Sequence, residues 1–325
     1  MNILVTGGAG FIGSHLCAHL LKKGHRVCCL DNLSTGNVRN ISGLFSDAKF
    51  DFVYGSVLDQ GLIGSMVQFH DCVYHLAAEV GVRKVVDDPI ATIEANIDGT
   101  RVVLDTAHEY KRKVLLTSTS EVYGKREQMP FRESDEFVLG PIGIARWGYA
   151  YSKIIDEFLA LSYGREYGLP VVVVRLFNVI GPRQVGEYGM VVPRFVRAAL
   201  DESPITVYGS GEQSRCFAYV GDVVRMLVDL MECRSAEGDV YNLGSDAPMT
   251  INELARKVKE LTGSKSEVRH ISYEEAYGAH FEDITARRPC LDKAKRYINC
   301  DAETDFDAAL RAIINHMKGG QQSGA

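Results

Sequence analysis

Thr6-Gly7-Gly8-Ala9-Gly10-Phe11-Ile12-Gly13 decides the fold. It follows the apolar run Ile3-Leu4-Val5 and precedes a segment, 15–22, with apolar residues at three- and four-residue spacing, so it reads as strand, tight glycine turn and helix start. Glycines let the chain turn sharply, bring backbone up to a pyrophosphate and pack helix on strand, while the helix N-terminus attracts the anion. Gly7, Gly10, Phe11, Ile12 and Gly13 are therefore candidate dinucleotide contacts. Asp31 closes a second strand 18 positions after Gly13, where a carboxylate accepts ribose hydroxyls and repels a 2′-phosphate. No arginine follows in Asn32-Leu33-Ser34-Thr35, so the pattern selects NAD over NADP, with Asn32 beside the ribose. Asp59, after the third strand, is placed to meet the adenine.

Outward from this motif, apolar runs at 3–5, 27–30, 52–54, 72–76, 114–116 and 171–176 alternate with helical segments such as 15–22 and 93–107. Near-continuous apolar strands separated by helices mean a parallel sheet covered on both faces. The expected fold is α/β: a doubly wound parallel sheet of Rossmann type over 1–177, with a second, smaller α/β substrate domain over 178–315. After 178 the rhythm changes to Gly181-Pro182, Ser203-Pro204 and Tyr208-Gly209-Ser210-Gly211, and the chain is expected to return to the first domain at about 218–244. Thr250 and Glu253 form a capping box before Leu254 and Val258. The tail 316–325 is expected to be flexible and its polar, glycine-rich end, 319–325, to fray.

Composition narrows the partners. A chain of 325 residues with 46% hydrophobic residues buries a sizeable core, which excludes disorder and a small disulfide scaffold. A net charge of −6 without a basic run argues against nucleic acid and anionic membrane as partners. No apolar stretch reaches the roughly 20 residues of a bilayer span. Eight cysteines without a C-x-x-C pair, and a start at Met1-Asn2-Ile3-Leu4-Val5 rather than a basic and then apolar leader, read as a reduced cytoplasmic protein. No metal site is expected, because the nine histidines are scattered and the closest pair, His15 and His19, lacks a partner at ligand spacing. Cys216 reads as a small buried residue.

The candidate chemistry lies in Tyr149-Ala150-Tyr151-Ser152-Lys153, which puts a phenol and an ammonium at i and i+4 on one helical face. A cation so placed is expected to lower the phenol pKa and make Tyr149 a general base or acid for a hydroxyl. Thr117-Ser118-Thr119-Ser120-Glu121 follows the fifth strand, at the edge where open α/β sheets bind ligands. Thr119, Ser120 and Glu121 complete the candidate catalytic set on that side.

At this point the chain resembles the extended short-chain dehydrogenase/reductase family, in particular its NAD-dependent nucleotide-sugar epimerases, dehydratases and decarboxylases. The resemblance spans about residues 1–315 and rests on TGGAGFIG, His75-Leu76-Ala77-Ala78, TSTSEVYG, YAYSK, Arg175-Leu176-Phe177-Asn178 with Gly181-Pro182-Arg183, and Arg215-Cys216-Phe217. It implies that Leu76, Ala77 and Ala78 border the cofactor, that Thr119 holds the sugar 4-hydroxyl, that Tyr149 takes its proton and that Lys153 binds the nicotinamide ribose. Asn178, Arg183 and Arg215 then look like substrate contacts for a nucleoside diphosphate sugar, usually a UDP-sugar. It also implies a homodimer through helices at about 90–110 and 149–167.

Members of this family share oxidation at a sugar carbon, usually C4, and differ in the fate of the keto sugar. Two features resemble UDP-glucuronate decarboxylases (UDP-xylose synthases): Ser120-Glu121 with Arg146-Trp147 before Tyr149, and Arg287-Arg288-Pro289, in which Arg287 would serve proton donation near C5. The Ser-Glu pair also resembles 4,6-dehydratases. Val80-Gly81-Val82-Arg83 resembles UDP-glucuronate 4-epimerases, in which Arg83 would face an acidic sugar, although Gln184-Val185-Gly186 departs from their pattern. Decarboxylation of UDP-glucuronate to UDP-xylose or its 4-keto precursor is the first expectation and UDP-sugar 4-epimerisation the second. A non-enzymatic NAD-binding regulator would be expected to lose the tyrosine or lysine, and both are present.

Overall fold

A computed structural model describes residues 1–80, 88–142, 144, 147–186, 190–277 and 286–322. One seven-stranded sheet organises the chain: β1 (Asn2–Thr6), β2 (Arg26–Asp31), β3 (Phe50–Tyr54), β4 (Cys72–His75), β5 (Lys113–Thr119), β6 (Val171–Leu176) and β7 (Asp239–Leu243). Its order is β7-β6-β5-β4-β1-β2-β3 and every neighbouring pair is parallel. The order reverses between β1 and β4, which opens a crevice at the carboxyl ends of the strands.

Alternation along each strand sorts side chains to two faces. Ile3 and Val5 of β1 and Val172 and Val174 of β6 pack with helices α1 (Phe11–Lys22) and, later in the chain, Val220–Glu232. Leu4, Val171 and Val173 point the other way, against α2 (Gln60–Val67), α3 (Gly99–Glu109) and α4 (Trp147–Tyr167). Both faces are covered, so these strands read as nearly unbroken apolar runs. A short helix, Pro89–Ile93, enters α3 through a π-helical turn at Glu94–Asp98.

A separate apolar cluster joins α5 (Val191–Leu200), α7 (Ile251–Thr262) and α8 (Phe306–Gln322), with Val220–Glu232 taken as α6. The capping box is present at α7: Thr250 accepts from the Glu253 amide at 3.0 Å and Glu253 accepts from the Thr250 amide at 2.8 Å. The last helix runs into the tail. Buried Ala309, Leu310, Ile313 and Ile314 anchor α8, and the helix propagates through Gly319 to Gln322; residues 323–325 lie outside the described residues.

Arg175 of β6 holds the segment after β5 against the sheet. Its guanidinium binds Glu157 of α4 at 2.7 Å and the Tyr123 hydroxyl at 2.9 Å, and the Tyr123 hydroxyl donates to Asn242 of β7 at 2.7 Å. Breaking such a buried pair from one side costs about 3–5 kcal/mol. All eight cysteines are free thiols, Cys216 among the buried ones. Among the described residues no helix is long and apolar enough to cross a membrane, and no group of three or more His, Cys, Asp or Glu could hold a metal ion.

Candidate active site

The glycine motif turns where β1 ends. Gly7 adopts φ +70°, and a Cβ there would lie 2.7 Å from the Ala77 nitrogen; at Gly13 it would lie 2.1 Å from the Gly7 carbonyl oxygen. The backbones after β1 and β4 therefore approach as closely as glycine allows. The Leu76 amide donates to the Thr6 carbonyl at 3.1 Å and the Ala77 amide to Thr6 Oγ1 at 3.3 Å, with Ala78 next along this edge. Gly10 caps α1 without a side chain, so the first-turn amides around Phe11 and Ile12 form the kind of donor set a pyrophosphate binds.

Asp31 ties this loop to β2 by accepting from the Ala9 amide at 2.9 Å and the Leu33 amide at 2.8 Å. Burial raises its pKa, against the lowering by these amides. Asn32 turns the chain by accepting from the Ser34 amide at 3.0 Å. Asp59, expected at the adenine, caps α2 by accepting from the Leu62 amide at 3.0 Å. A cradle that a Cβ would fill, an uncapped helix N-terminus and a carboxylate at the end of β2 together fit an adenine dinucleotide.

Across the crevice, Thr119 ends β5 and accepts from the Glu121 amide at 3.2 Å, which starts a 3₁₀ turn, Ser120–Tyr123. Ser120 is buried in that turn. Tyr149 sits in the first turn of α4, and the Thr119 hydroxyl bonds its phenol. The cation effect expected from the sequence is not what the structure shows. Burial first, then the carboxylates of Glu121 and Asp156, push the Tyr149 pKa up, against the lowering by Thr119. One turn further along α4, Lys153 is buried and its ammonium is held by Asp156 at 2.7 Å.

Arg287 approaches from the far end of the sequence. The strand Ala286–Arg287 runs parallel to Ser214–Cys216, with Arg287 in register with Arg215. Its guanidinium bonds the Glu121 carboxylate. Arg215 donates to the Ser214 carbonyl at 2.8 Å. Asn178 follows β6, and its side-chain nitrogen is buried without a hydrogen-bond partner, as is Nη1 of Arg183, which has φ +69°. The described geometry thus joins Thr119, Tyr149, Glu121 and Arg287 in one cluster. Arg83 and Arg146 lie outside the described residues.

Two side chains here were not anticipated. Asp156 carried a signal, since i+3 from Lys153 is neighbour spacing on a helix. Asn96, in the π-helical turn, accepts from the Glu79 amide at 2.8 Å and donates to Ser152 Oγ at 3.0 Å, joining the exit of β4 to the YAYSK turn. π-Helical turns often sit at such sites, but a π register leaves no clear mark in a single sequence.

The NAD dependent epimerase/dehydratase family matches residues 3–244. The chain belongs to this family. It is 40% identical over 316 residues to a UDP-N-acetyl-alpha-D-glucosaminuronate decarboxylase of Bacillus cytotoxicus, covering 97% of each chain. It is 35% identical over 317 residues to UDP-glucuronic acid decarboxylase 1 of Xenopus tropicalis, covering 98% of this chain and 72% of that one. Among solved structures it resembles a UDP-glucose 4-epimerase of Thermotoga maritima with UDP-glucose, at TM-score 0.88 and 31% identity, covering 99% of this chain and 100% of that one. The protein is an NAD-dependent enzyme that modifies a nucleotide sugar.

Proposed function

We propose that this family member decarboxylates a UDP-hexuronate, UDP-glucuronate or its 2-acetamido counterpart, through a 4-keto sugar. The observation that carries the reading is the contact between Glu121 and Arg287, which sets a carboxylate and a guanidinium beside Tyr149. Similarity to two uronate decarboxylases supports it.

Gly7, Gly10, Phe11, Ile12, Gly13, Asp31, Asn32, Leu76, Ala77, Ala78, Tyr149 and Lys153 would hold NAD, with Asp59 at the far edge. When bound, NAD supplies a two-electron hydride acceptor and donor. Thr119 orients the C4 hydroxyl and Tyr149 takes its proton as C4 is oxidised. The 4-ketone makes the C6 carboxylate a β-keto acid. The C5–C6 bond then breaks, its electron pair moves into a C4–C5 enolate, and carbon dioxide leaves. Arg287, fixed by Glu121 and buried, stabilises the enolate charge and guides a proton to C5. Asn178, Arg183 and Arg215 bind the diphosphate, the guanidinium of Arg215 by forked hydrogen bonds, and Arg83 reads the acidic sugar. Reduction at C4 gives the UDP-pentose, and release before it gives the 4-keto pentose.

The test is incubation of the purified protein with UDP-glucuronate, UDP-N-acetylglucosaminuronate and UDP-glucose, followed by mass spectrometry and proton NMR. Loss of carbon dioxide from either uronate supports the proposal. An unchanged mass with an inverted C4 signal overturns it in favour of a 4-epimerase. We also propose a homodimer through the surface of α4 and Pro89–Ile93, where Ile90, Ile155 and Phe158 are exposed.

A further inference from the structure

Asp156 is fully buried on α4, and its Oδ2 binds the Lys153 ammonium at 2.7 Å. Neither charge is in contact with water to any useful extent, so each depends on the other. The Thr100 hydroxyl of α3 acts on the same carboxylate. Thr100 Oγ1 lies 3.2 Å from Nε2 of His75, and Nδ1 of His75 lies 2.7 Å from Thr6 Oγ1. Counting protons gives this series a direction. Thr6 Oγ1 accepts from the Ala77 amide and donates to Nδ1, which leaves Nε2–H to donate to Thr100 and the Thr100 proton to face Asp156. Burial, with the Lys153 charge, pushes the His75 pKa down to about 3, so the imidazole is neutral as this assignment requires. A buried polar series thus runs from the root of the glycine loop through His75 to Thr100, beside the Asp156 carboxylate that holds Lys153; Oδ1 of Asp156 is buried without a hydrogen-bond partner.

We propose that Asp156 is a positioning residue for the acid–base pair: it pins the Lys153 ammonium against α4 and sets how much of that positive charge Tyr149 feels. The inference rests on Tyr149 and Lys153 acting as that pair and not on decarboxylation. Facing Tyr149 are Thr119 at the end of β5, Glu121 from the turn after it, and Asp156 from α4. Facing Asp156 are Lys153 and Glu157 on α4 and Thr100 on α3. Asp156→Asn removes one carboxylate that raises the phenol pKa and leaves the Lys153 charge uncompensated. Both changes favour the phenolate.

The experiment follows Tyr149 itself. The NAD-loaded protein is prepared with carbon-13 at tyrosine Cζ, the Tyr149 resonance is assigned by its loss in Tyr149→Phe, and its titration is compared in wild type, Asp156→Asn and Asp156→Glu. The expected result is a midpoint lowered by about one pH unit in Asp156→Asn and returned toward the wild-type value in Asp156→Glu. An unchanged midpoint in a folded but less stable Asp156→Asn protein overturns the inference and makes Asp156 purely structural. Should Asp156→Asn fail to fold, the stability cost of the same change is measured in a Lys153→Met background. A much smaller cost there than in wild type supports the pairing, and an equal cost overturns it. Hydride transfer that survives Tyr149→Phe removes both this inference and the acid–base reading. A Tyr149 that titrates but ignores Asp156 removes this inference alone.

Discussion

Arg287 and Glu121, 166 positions apart in sequence, form an ion pair in which the guanidinium is 7% exposed and the carboxylate 23%. The strand Ala286–Arg287 brings the arginine there by pairing with Ser214–Cys216, and the 3₁₀ turn after β5 presents the acid. The turn also carries the Glu121 amide that donates to Thr119, so the pair sits against the Thr119–Tyr149 side of the site. In the proposed reaction this pair would act on the carbon next to the one that is oxidised.

Glu121→Gln and Arg287→Ala are expected to separate the two halves of the reaction. Release of carbon dioxide from a UDP-hexuronate should fall by about 10²–10⁴-fold. Oxidation at C4, followed as the near-ultraviolet absorbance of reduced nicotinamide in single turnover, should survive to a much larger extent. Equal loss of both signals would place the pair in substrate binding instead.

The pH dependence of C4 oxidation should move in a stated direction. Glu121 is one of the carboxylates that hold the Tyr149 pKa up. Its neutral replacement lowers that pKa, so in Glu121→Gln the acidic limb of the hydride-transfer profile should shift to lower pH. Tyr149→Phe should remove the limb and at least about 10²-fold of the rate.

Gly7→Ala and Gly13→Ala should each abolish cofactor retention. At Gly7 the left-handed backbone and the 2.7 Å approach to the Ala77 nitrogen leave no room for a methyl group, and at Gly13 the approach to the Gly7 oxygen is 2.1 Å. Both obstacles are backbone, which cannot rotate away. The amount of NAD released from denatured, purified variants measures the effect, with thermal unfolding as the control for folding.

Local patterns made the sheet, the glycine cradle and the YAYSK turn legible, because each is set by residues a few positions apart. Asp31 was readable from its distance to Gly13, and the Thr250 capping box from a three-residue offset. Side chains whose roles come from tertiary neighbours were harder. Asp156-Glu157 looks like an ordinary charged helix face, yet one carboxylate binds buried Lys153 and the other buried Arg175. The direction of the Tyr149 pKa is likewise set by tertiary surroundings, burial first and then the carboxylates of Glu121 and Asp156. Asp59, which the sequence places at the adenine, also caps α2 by accepting from the Leu62 amide, a second role that only the structure shows.

Acid stability should depend on His15. Its Nε2–H donates to the Pro182 carbonyl at 2.9 Å, and burial is the first cause of a pKa lowered to about 4 from 6.5. The unfolded chain binds the proton first, so this contribution to stability is present above pH 6.5 and is lost as pH falls toward about 4. Tm should drop by several degrees across that window. His15→Gln keeps a donor for the carbonyl and should flatten that part of the curve, which differential scanning calorimetry at stepped pH would detect.

The outer face of α4 yields the last prediction. Phe158 is 66% exposed and Ile155 43%, and Ile90 on the neighbouring Pro89–Ile93 helix is 69% exposed, although α4 buries Lys153, Asp156 and Glu157 on its inner side. Single exposed apolar residues are ordinary, whereas a group spread over two adjacent helices needs a cover. A second copy of the chain supplies the same apolar surface under twofold symmetry. Phe158→Asp should convert the proposed homodimer to a monomer in sedimentation equilibrium and leave the fold intact, because the side chain has little to lose by facing water. The same α4 carries Tyr149 and Lys153, so the monomer should also show a lower kcat at unchanged protein concentration. A wild-type protein that sediments as a monomer at micromolar concentration would refute the dimer.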